Sequence, residues 1–136
     1  MTDINAAISA AASGMRAQQT RMRIAAENIA NANSSGANPN EDPFRRRIPL
    51  LETTTLASGA RGVRVEGAVA DMSDFRREYN PSHPAADETG YVNLPNVDTL
   101  VEMMDMREAT RAYEANLNMI EAARTMTTRA LDLLRR

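Results

Sequence analysis

The fold is decided by a stretch near the end of the chain, where residues 97–135 read VDTLVEMMDMREATRAYEANLNMIEAARTMTTRALDLLR. No Gly or Pro interrupts this stretch, Asn96 precedes it as a candidate N-cap, and Asp98 and Glu102 suit the positive end of a helix. At 1.5 Å per residue such a helix would be roughly 58 Å long. Because a compact chain of this length is only about 40 Å across, we expect the helix to extend beyond its own globule.

The apolar residues of this predicted helix fall into two neighbouring stripes. One stripe consists of Tyr113, Leu117, Ile120, Thr127, Leu131 and Leu134. The other is richer in small residues and consists of Ala109, Ala112, Met119, Ala123, Met126, Ala130 and Leu133. A helix that packs on a single partner needs one stripe, so two stripes indicate at least two neighbours. The chain offers only one other long helix.

That other helix is predicted at residues 4–31. Its apolar positions alternate at spacings of four and three, a heptad pattern with one polar position at Gln18. They are Ile4, Ile8, Ala11, Met15, Met22, Ala25 and Ile29. A run of Asn, Ser and Gly over residues 31–36 ends the helix. We expect the two terminal helices to pair as an antiparallel coiled coil.

The segment between the helices has a different pattern. Val63, Val65 and Val69 alternate with small or charged residues, which is typical of a strand, and Gly67 interrupts the alternation. Pro49 is expected to limit any strand that starts at Phe44.

Further along, residues 75–79 show a weaker alternation, and residues 80–96 are rich in Pro, Asp and Gly, which predicts an ordered loop or a short hairpin arm. The sequence therefore predicts a mainly α protein with a small β-rich module inserted between two helices. Residues 1–36 and 97–136 supply the helical domain, and residues 37–96 supply the module.

The composition predicts a thin hydrophobic core. Leu, Ile, Val and Phe together supply 23 of the 136 residues, below the roughly 20% that an ordinary folded domain contains. The hydrophobic fraction of 43% comes mainly from Ala and from 9 Met. Because each buried CH₂ contributes only about 0.8 kcal/mol, we expect an isolated monomer to be marginally stable.

Charge and cysteine content exclude several classes of protein. The 16 basic residues are all Arg, they are spread along the chain, and the net charge is -2, so nucleic acid is a poor partner. The absence of Cys excludes a disulfide framework and a thiolate metal site. No apolar run approaches the roughly 20 residues of a membrane span, and no signal-peptide pattern opens the chain. We therefore expect no membrane insertion and no cleaved signal.

No group of residues predicts catalysis, a cofactor or a metal. His83 is the only His and lies in a Pro-flanked loop, so a structural role is expected. The adjacent carboxylates at 87–88 and 41–42 lie among turn residues and are expected to be solvated. The three arginines at 45–47 are expected to form a solvated strand edge or ion pairs with a neighbouring subunit. We therefore predict a structural protein and no enzyme.

Several motifs resemble the flagellar rod and hook protein family. They are ASGM at 12–15, NIANAN at 28–33, the stretch from YNP at 79–81 to PNVD at 95–98, and RAYEAN at 111–116. The resemblance covers both ends of the chain and most of its middle.

The resemblance implies a subunit of the proximal rod that transmits torque from the motor. It implies export, unfolded and uncleaved, through the flagellar type III export apparatus. Assembly would take place in the periplasm with other rod subunits and with the basal-body protein at the rod base. The terminal helices would form the inner tube of the axial structure, with the β-rich module outside.

The predicted assembly interface, for self-association and for contacts with other subunits, consists of the large side chains of both helices. They are Ile4, Ile8, Met15, Met22, Ile29, Tyr113, Leu117, Met119, Ile120, Met126, Leu131 and Leu134. Two alternatives remain at this point: a different flagellar axial subunit, and a non-flagellar coiled-coil adaptor.

Overall fold

The computed structural model describes residues 2–135, apart from the side chain of Thr2. Met1 and Arg136, the outer ends of the predicted helical domain formed by residues 1–36 and 97–136, lie outside the described residues. The elements, in chain order, are α1 (Thr2–Ala30), β1 (Arg47–Thr55), β2 (Arg61–Ala70), β3 (Arg76–Tyr79), β4 (Tyr91–Leu94) and α2 (Thr99–Leu134). Two long helices therefore flank a small antiparallel β module, as the sequence predicts.

The two helices lie side by side and run in opposite directions. Near the end of α1, Asn28 Nδ2 donates to Glu102 Oε2, close to the start of α2, at 3.3 Å. Near the middle of both helices, a Cβ atom added to Gly14 would lie only 2.7 Å from Asn116 Nδ2. Position numbers therefore rise along one helix as they fall along the other, which defines an antiparallel pair.

The helices differ in length. α1 has 29 residues and α2 has 36 residues, or about 43 and 54 Å at 1.5 Å per residue. Because Gly14 lies opposite Asn116, the start of α1 is level with about residue 128 of α2. The residues of α2 from 129 to 134, which we call the overhang, therefore project beyond the described part of α1.

α2 begins two residues later than the sequence predicts. Its N-cap is Asp98, whose carboxylate accepts a hydrogen bond from the backbone of the first turn at 3.0 Å, so the expected cap at Asn96 is wrong. The Asn96 side chain is already engaged: Oδ1 accepts from the backbone N–H of Arg46 at 2.8 Å, and Nδ2 donates to the carbonyl of Asp71 at 2.9 Å. These partners lie far away in sequence, so local cap chemistry does not reveal them.

β1 and β2 form a hairpin, and β1 contains Pro49, opposite Ala68. The expectation that Pro49 limits this strand is wrong. A two-stranded ribbon has a free outer edge, where a residue without an N–H removes no ladder hydrogen bond. β2 continues through Gly67, and the irregularity expected there takes the form of a register shift between Leu50 and Leu51, opposite that residue.

β3 and β4 form a second antiparallel pair, in which Tyr79 lies opposite Tyr91 with the rings 5.4 Å apart, edge to face. The predicted hairpin arm is thereby confirmed. Gly90 has a φ of 85°, and a Cβ there would lie 2.8 Å from the ring of Tyr79. Only glycine meets both conditions without strain.

The core is as thin as the composition predicts. Among the described residues, Pro43 and Pro95 aside, seven of the ten buried apolar side chains are Ala, and only Ile24, Val92 and Val97 are larger. The accessible surface is 9188 Å², whereas a compact protein of 14.9 kDa would expose about 7,000 Å². The chain is therefore extended, and much of its surface has no intramolecular cover.

Candidate assembly interface

Two neighbouring residues of α1 hold the other elements in place. Ser13 is buried, its Oγ donates to the carbonyl of Ala10 at 2.7 Å, and it accepts from the backbone N–H of Val63 in β2 at 3.1 Å. Gly14 lets Asn116 of α2 approach the backbone of α1 more closely than any side chain would allow. The ASGM motif is therefore the point where α1, α2 and the first hairpin meet.

A second junction lies near the other end of α1, at Asn28. Its side chain is 1% exposed. Nδ2 donates to the carbonyl of Arg47 at 2.9 Å, and Oδ1 accepts from the N–H of the same residue at 3.0 Å. The amide thus pairs with the start of β1 as a neighbouring strand would, while Nδ2 also reaches Glu102.

Arg46 joins the module to α2 by charge. It forms an ion pair with Glu102, which is 2% exposed, and its Nη2 lies 3.3 Å from Asp105 Oδ2. Nη1 lies 3.6 Å from Asp71 Oδ2. The pKa of Asp71 lies below its ordinary value, first because the backbone N–H and then the hydroxyl of Ser73 bond its carboxylate, and further because Arg46 is close.

The neighbouring arginines also make contacts within the chain, and the expected ion pairs with a neighbouring subunit stay a prediction. The guanidinium of Arg45 lies 4.1 Å from the ring centre of Phe75 and donates to the carbonyl of Asp71 at 3.1 Å. Arg47, half exposed, lies 3.6 Å from Glu27 Oε2. The chain reversal after β2 brings residues 71–75 back to this run, which no local pattern indicates.

The remaining candidates for chemistry have structural roles. His83 Nδ1 accepts from the backbone N–H of Ala85 at 3.0 Å, and Nε2 lies 3.3 Å from Ser35 Oγ. Asp87 is bonded rather than merely solvated, because its Oδ1 accepts from the backbone N–H groups of Thr89 and Tyr91 at 2.9 and 3.0 Å.

Within the described residues, no three His, Cys, Asp or Glu side chains are grouped so that they could hold a metal ion. Neither described helix is apolar enough over sufficient length to cross a membrane.

The structure divides the predicted interface residues between covered and open positions. Half-buried positions are occupied by Ile4, Ile8, Met15, Met22, Ile29, Tyr113 and Ile120. Exposed positions are occupied by Leu117, Met119, Met126, Leu131 and Leu134. Their role in assembly stays a prediction.

In the structure, the side of α2 that faces α1 does not coincide with either predicted stripe. The side that faces α1 follows Glu102, Ala109, Asn116 and Ala123, with Tyr113, Ile120 and Thr127 half-buried beside them. It therefore takes members from both predicted stripes. The small residues permit close approach to α1. A pattern that counts apolar residues without regard to their size does not separate small from large ones.

A second side of α2 carries alternating small and large apolar residues, all exposed. They are Ala115, Met119, Ala122, Met126, Ala130 and Leu133, at helical spacings of four and three. We call this set the open stripe. Met119, Met126 and Leu133 are 56%, 61% and 72% exposed. Such a contiguous apolar surface is typical of an interaction site.

Comparison with known proteins fits this architecture of two terminal helices with an open apolar surface. Residues 8–37, which include most of α1, match the family described as "Flagella basal body rod protein". Residues 88–133, which include most of α2, match the family "Flagellar basal body rod FlgEFG protein C-terminal". Both helices thus match the flagellar axial class.

Individual relatives identify the family within the flagellar axial class. The chain is 45% identical to the flagellar basal-body rod protein FlgC of Agrobacterium fabrum, over 99% of this chain and 98% of the relative. It is 37% identical to FlgC of Aquifex aeolicus, over 97% and 98% of the two chains, and 33% identical to FlgC of Salmonella typhimurium, over 90% and 92%. The chain belongs to the FlgC family and is a structural subunit of the flagellar rod.

Proposed function

We propose that the chain builds the proximal rod by self-assembly through its terminal helices, and that the assembled subunit transmits motor torque. The observation that carries this proposal is the open stripe of α2. A monomer leaves it in water, whereas burial contributes about 25 cal/mol for each Å² of apolar surface. Assembly is therefore the step that makes the helix pair stable.

The division of labour between segments is part of the proposal. Residues 1–36 and 97–136 act as the inner-tube domain, with the helices paired as an antiparallel coiled coil, and residues 37–96 act as the outer module. The heptad spacing of Glu102, Ala109 and Asn116 on the side of α2 that faces α1 supports coiled-coil packing.

Transmission of torque needs a module that does not swing on its helices. The ion pairs of Arg46 with α2 and the paired hydrogen bonds of Asn28 with β1 supply such an attachment. Ser13 supplies a second point further along α1. Attachment at two separated points resists rotation, which one contact alone would permit.

The thin Ala core supports export of an unfolded chain, because little packing has to be undone before passage. We propose export through the flagellar type III apparatus without a cleaved signal, and assembly in the periplasm. The partners are other rod subunits, further copies of this chain and the basal-body protein at the rod base. No enzymatic activity, cofactor, nucleic acid or membrane insertion forms part of the proposal.

The test is a pair of charged substitutions at adjacent positions of α2, Met126→Asp on the open stripe and Thr125→Asp outside it. Both positions are exposed, so both variants should fold. In a strain that lacks the native subunit, Met126→Asp should be exported but absent from isolated basal bodies, and the cells should not swim. Thr125→Asp should restore swimming.

The wider prediction for the interface is tested with Ile8→Asp and Leu117→Asp, which should also block assembly. Normal swimming with Met126→Asp, Ile8→Asp and Leu117→Asp would refute assembly through the helices. A chain that fractionates away from basal bodies without any substitution would refute the proposed place in the rod.

A further inference from the structure

Methionine is the side chain through which oxidants act on this chain. The sequence contains 9 Met but no Cys and no Trp. Cysteine thiolates and methionine thioethers are the groups that peroxides commonly oxidise in proteins. Because the chain has no thiol, a peroxide that meets it reacts mainly with methionine. The exposure of each methionine in the fold therefore decides where oxidation falls.

The described methionines divide into a sheltered group and an exposed group. The sulfur of Met22, in the sheltered group, also accepts a hydrogen bond from Thr110 Oγ1 at 3.4 Å. A sulfur lone pair that faces water is free to attack an oxidant, so the exposed group should react first. The half-buried members are Met15, Met22 and Met106, and the exposed members are Met72, Met103, Met104, Met119 and Met126.

Met119 and Met126 lie in the open stripe, where their neighbours do not shelter them. The residues one helical turn away on the same side of α2 are Ala115, Ala122 and Ala130. Each of these side chains ends at Cβ, so none reaches over the longer thioethers, which are 56% and 61% exposed. The alternation of small and large residues thus presents both sulfur atoms to solvent in the free chain.

We propose that Met119 and Met126 make the open stripe a redox-sensitive switch for assembly. A peroxide oxidises the two thioethers of the free chain to sulfoxides, and thiol-dependent reduction restores them. The stripe is competent for assembly when both sulfur atoms are reduced and is blocked when they carry oxygen. This inference rests on the proposed function and adds a means of regulating the same surface.

The oxidation transfers one oxygen atom and two electrons. A sulfur lone pair attacks one oxygen of hydrogen peroxide, the S–O bond forms as the O–O bond breaks, and the departing hydroxide takes the proton of the transferred oxygen to become water. Sulfur is oxidised and the peroxide is reduced. In the reverse direction, a methionine sulfoxide reductase removes the oxygen as water while two thiols are oxidised to a disulfide.

Two sulfoxides change the open stripe from apolar to polar at positions seven residues apart. A sulfoxide oxygen that leaves water needs a hydrogen-bond donor, and the other side chains of the stripe are Ala and Leu, which supply none. Burial of a polar oxygen without a donor weakens a contact by about tenfold or more. Oxidation at both positions should therefore keep the chain out of the rod.

Peroxide footprinting of the native chain tests the exposure that the switch requires. The purified chain is treated with hydrogen peroxide, and the sulfoxide fraction at each methionine is followed by mass spectrometry of its peptides. Met119 and Met126 should be oxidised several-fold faster than Met15 and Met22. Equal rates at these four positions would overturn the switch and leave the rod function intact.

Glutamine substitutions test the effect on assembly, because the side chain of Gln carries a polar oxygen at about the place of the sulfoxide oxygen. The test variant combines Met119→Gln with Met126→Gln. In a strain that lacks the native subunit, it should be exported, and its amount in isolated basal bodies should fall at least about tenfold.

The matched control combines Met72→Gln, in the β module, with Met103→Gln, which lies about 140° round α2 from Met126. All four positions are exposed, so both variants should fold, and the control should enter basal bodies as the native chain does. Normal entry of the test variant, or an equal loss of the control, would overturn the switch. Exclusion of Met126→Asp alongside normal entry of the test variant would refute the switch alone, whereas entry of both would also count against the proposed function.

Discussion

Arg46→Met removes the cation from the junction between the β module and α2 while it keeps most of the side-chain stem. Glu102, 2% exposed, then retains only the hydrogen bond from Asn28 Nδ2 at 3.3 Å. A carboxylate left in this position cannot recover its hydration without opening the junction.

The size of the effect follows from burial. Breaking a buried ion pair by removing one partner costs about 3–5 kcal/mol. The Arg46 side chain is 22% exposed and Asn28 still donates, so we expect a cost at or just below the bottom of this range, about 2–3 kcal/mol. For a thin-cored chain this is a large share of the total stability, which is about 5–15 kcal/mol for most domains.

A double substitution separates the lost pair from the lost packing. Arg46→Met together with Glu102→Leu leaves no buried charge, and such replacements are often neutral or stabilising. Glu102→Leu alone should cost less than Arg46→Met alone, because Arg46 keeps Asp71 and Asp105. The double variant should therefore be more stable than Arg46→Met.

The assay is urea unfolding followed by far-ultraviolet circular dichroism for the four chains of the cycle. The matched control is Arg64→Met, which removes an exposed ion pair with Glu52 and should cost under about 1 kcal/mol. A loss below about 1 kcal/mol for Arg46→Met, or a double variant as unstable as the sum of the single ones, would refute the reasoning.

Two further predictions concern single turns. Gly90→Ala should destabilise the second hairpin by about 1–3 kcal/mol, because φ is 85° and the new Cβ would strike Tyr79. The control Gly67→Ala, whose Cβ meets nothing within 4 Å, should change the unfolding midpoint little. Equal unfolding midpoints for the two variants would contradict this prediction. Ser73 and then Arg46 lower the pKa of Asp71. The contribution of the Asp71 carboxylate to folding stability is therefore present above its ordinary pKa of 3.8 and is lost as the pH falls through the lower pKa of the folded chain. The stability difference between the native chain and Asp71→Asn should therefore shrink in acid, and a difference that stays constant down to pH 2 or so would be inconsistent with this linkage.

Helical periodicity was sufficient to predict the two helices within about two residues at their ends. Repeating apolar positions and the absence of Gly and Pro specify a helix locally, so no tertiary information was needed. The excess length of α2 was also visible, because helix length follows directly from residue count.

The partition of α2 into covered and open sides was not predictable from apolarity alone. Ala109 and Ala123 face α1 because small side chains allow close approach, while Met119 and Met126 remain exposed. The size of the side chain that faces Gly14 decides which side of α2 packs on α1. That position can be identified only once the partner helix is in place.

The junction of the β module with the helices at Arg46 and Asn28 was not predicted, for a different reason. Arg46 and Asn28 bind groups that are far away in sequence, and an arginine run or an asparagine at a helix end has many possible roles. Their roles depend on where the β module folds back. Sequence patterns specify elements, whereas long-range polar partners depend on the assembled fold.

If the rod assembles as proposed, the open stripe of α2 is covered only in the assembly. The most direct measurement is the reaction rate of a maleimide with the thiol introduced by Met126→Cys, a position that is 61% exposed in the free chain, before and after incorporation into basal bodies. We expect rapid labelling of the purified chain and strong protection in intact basal bodies. Equal labelling rates in the two states would show that assembly does not cover the open stripe.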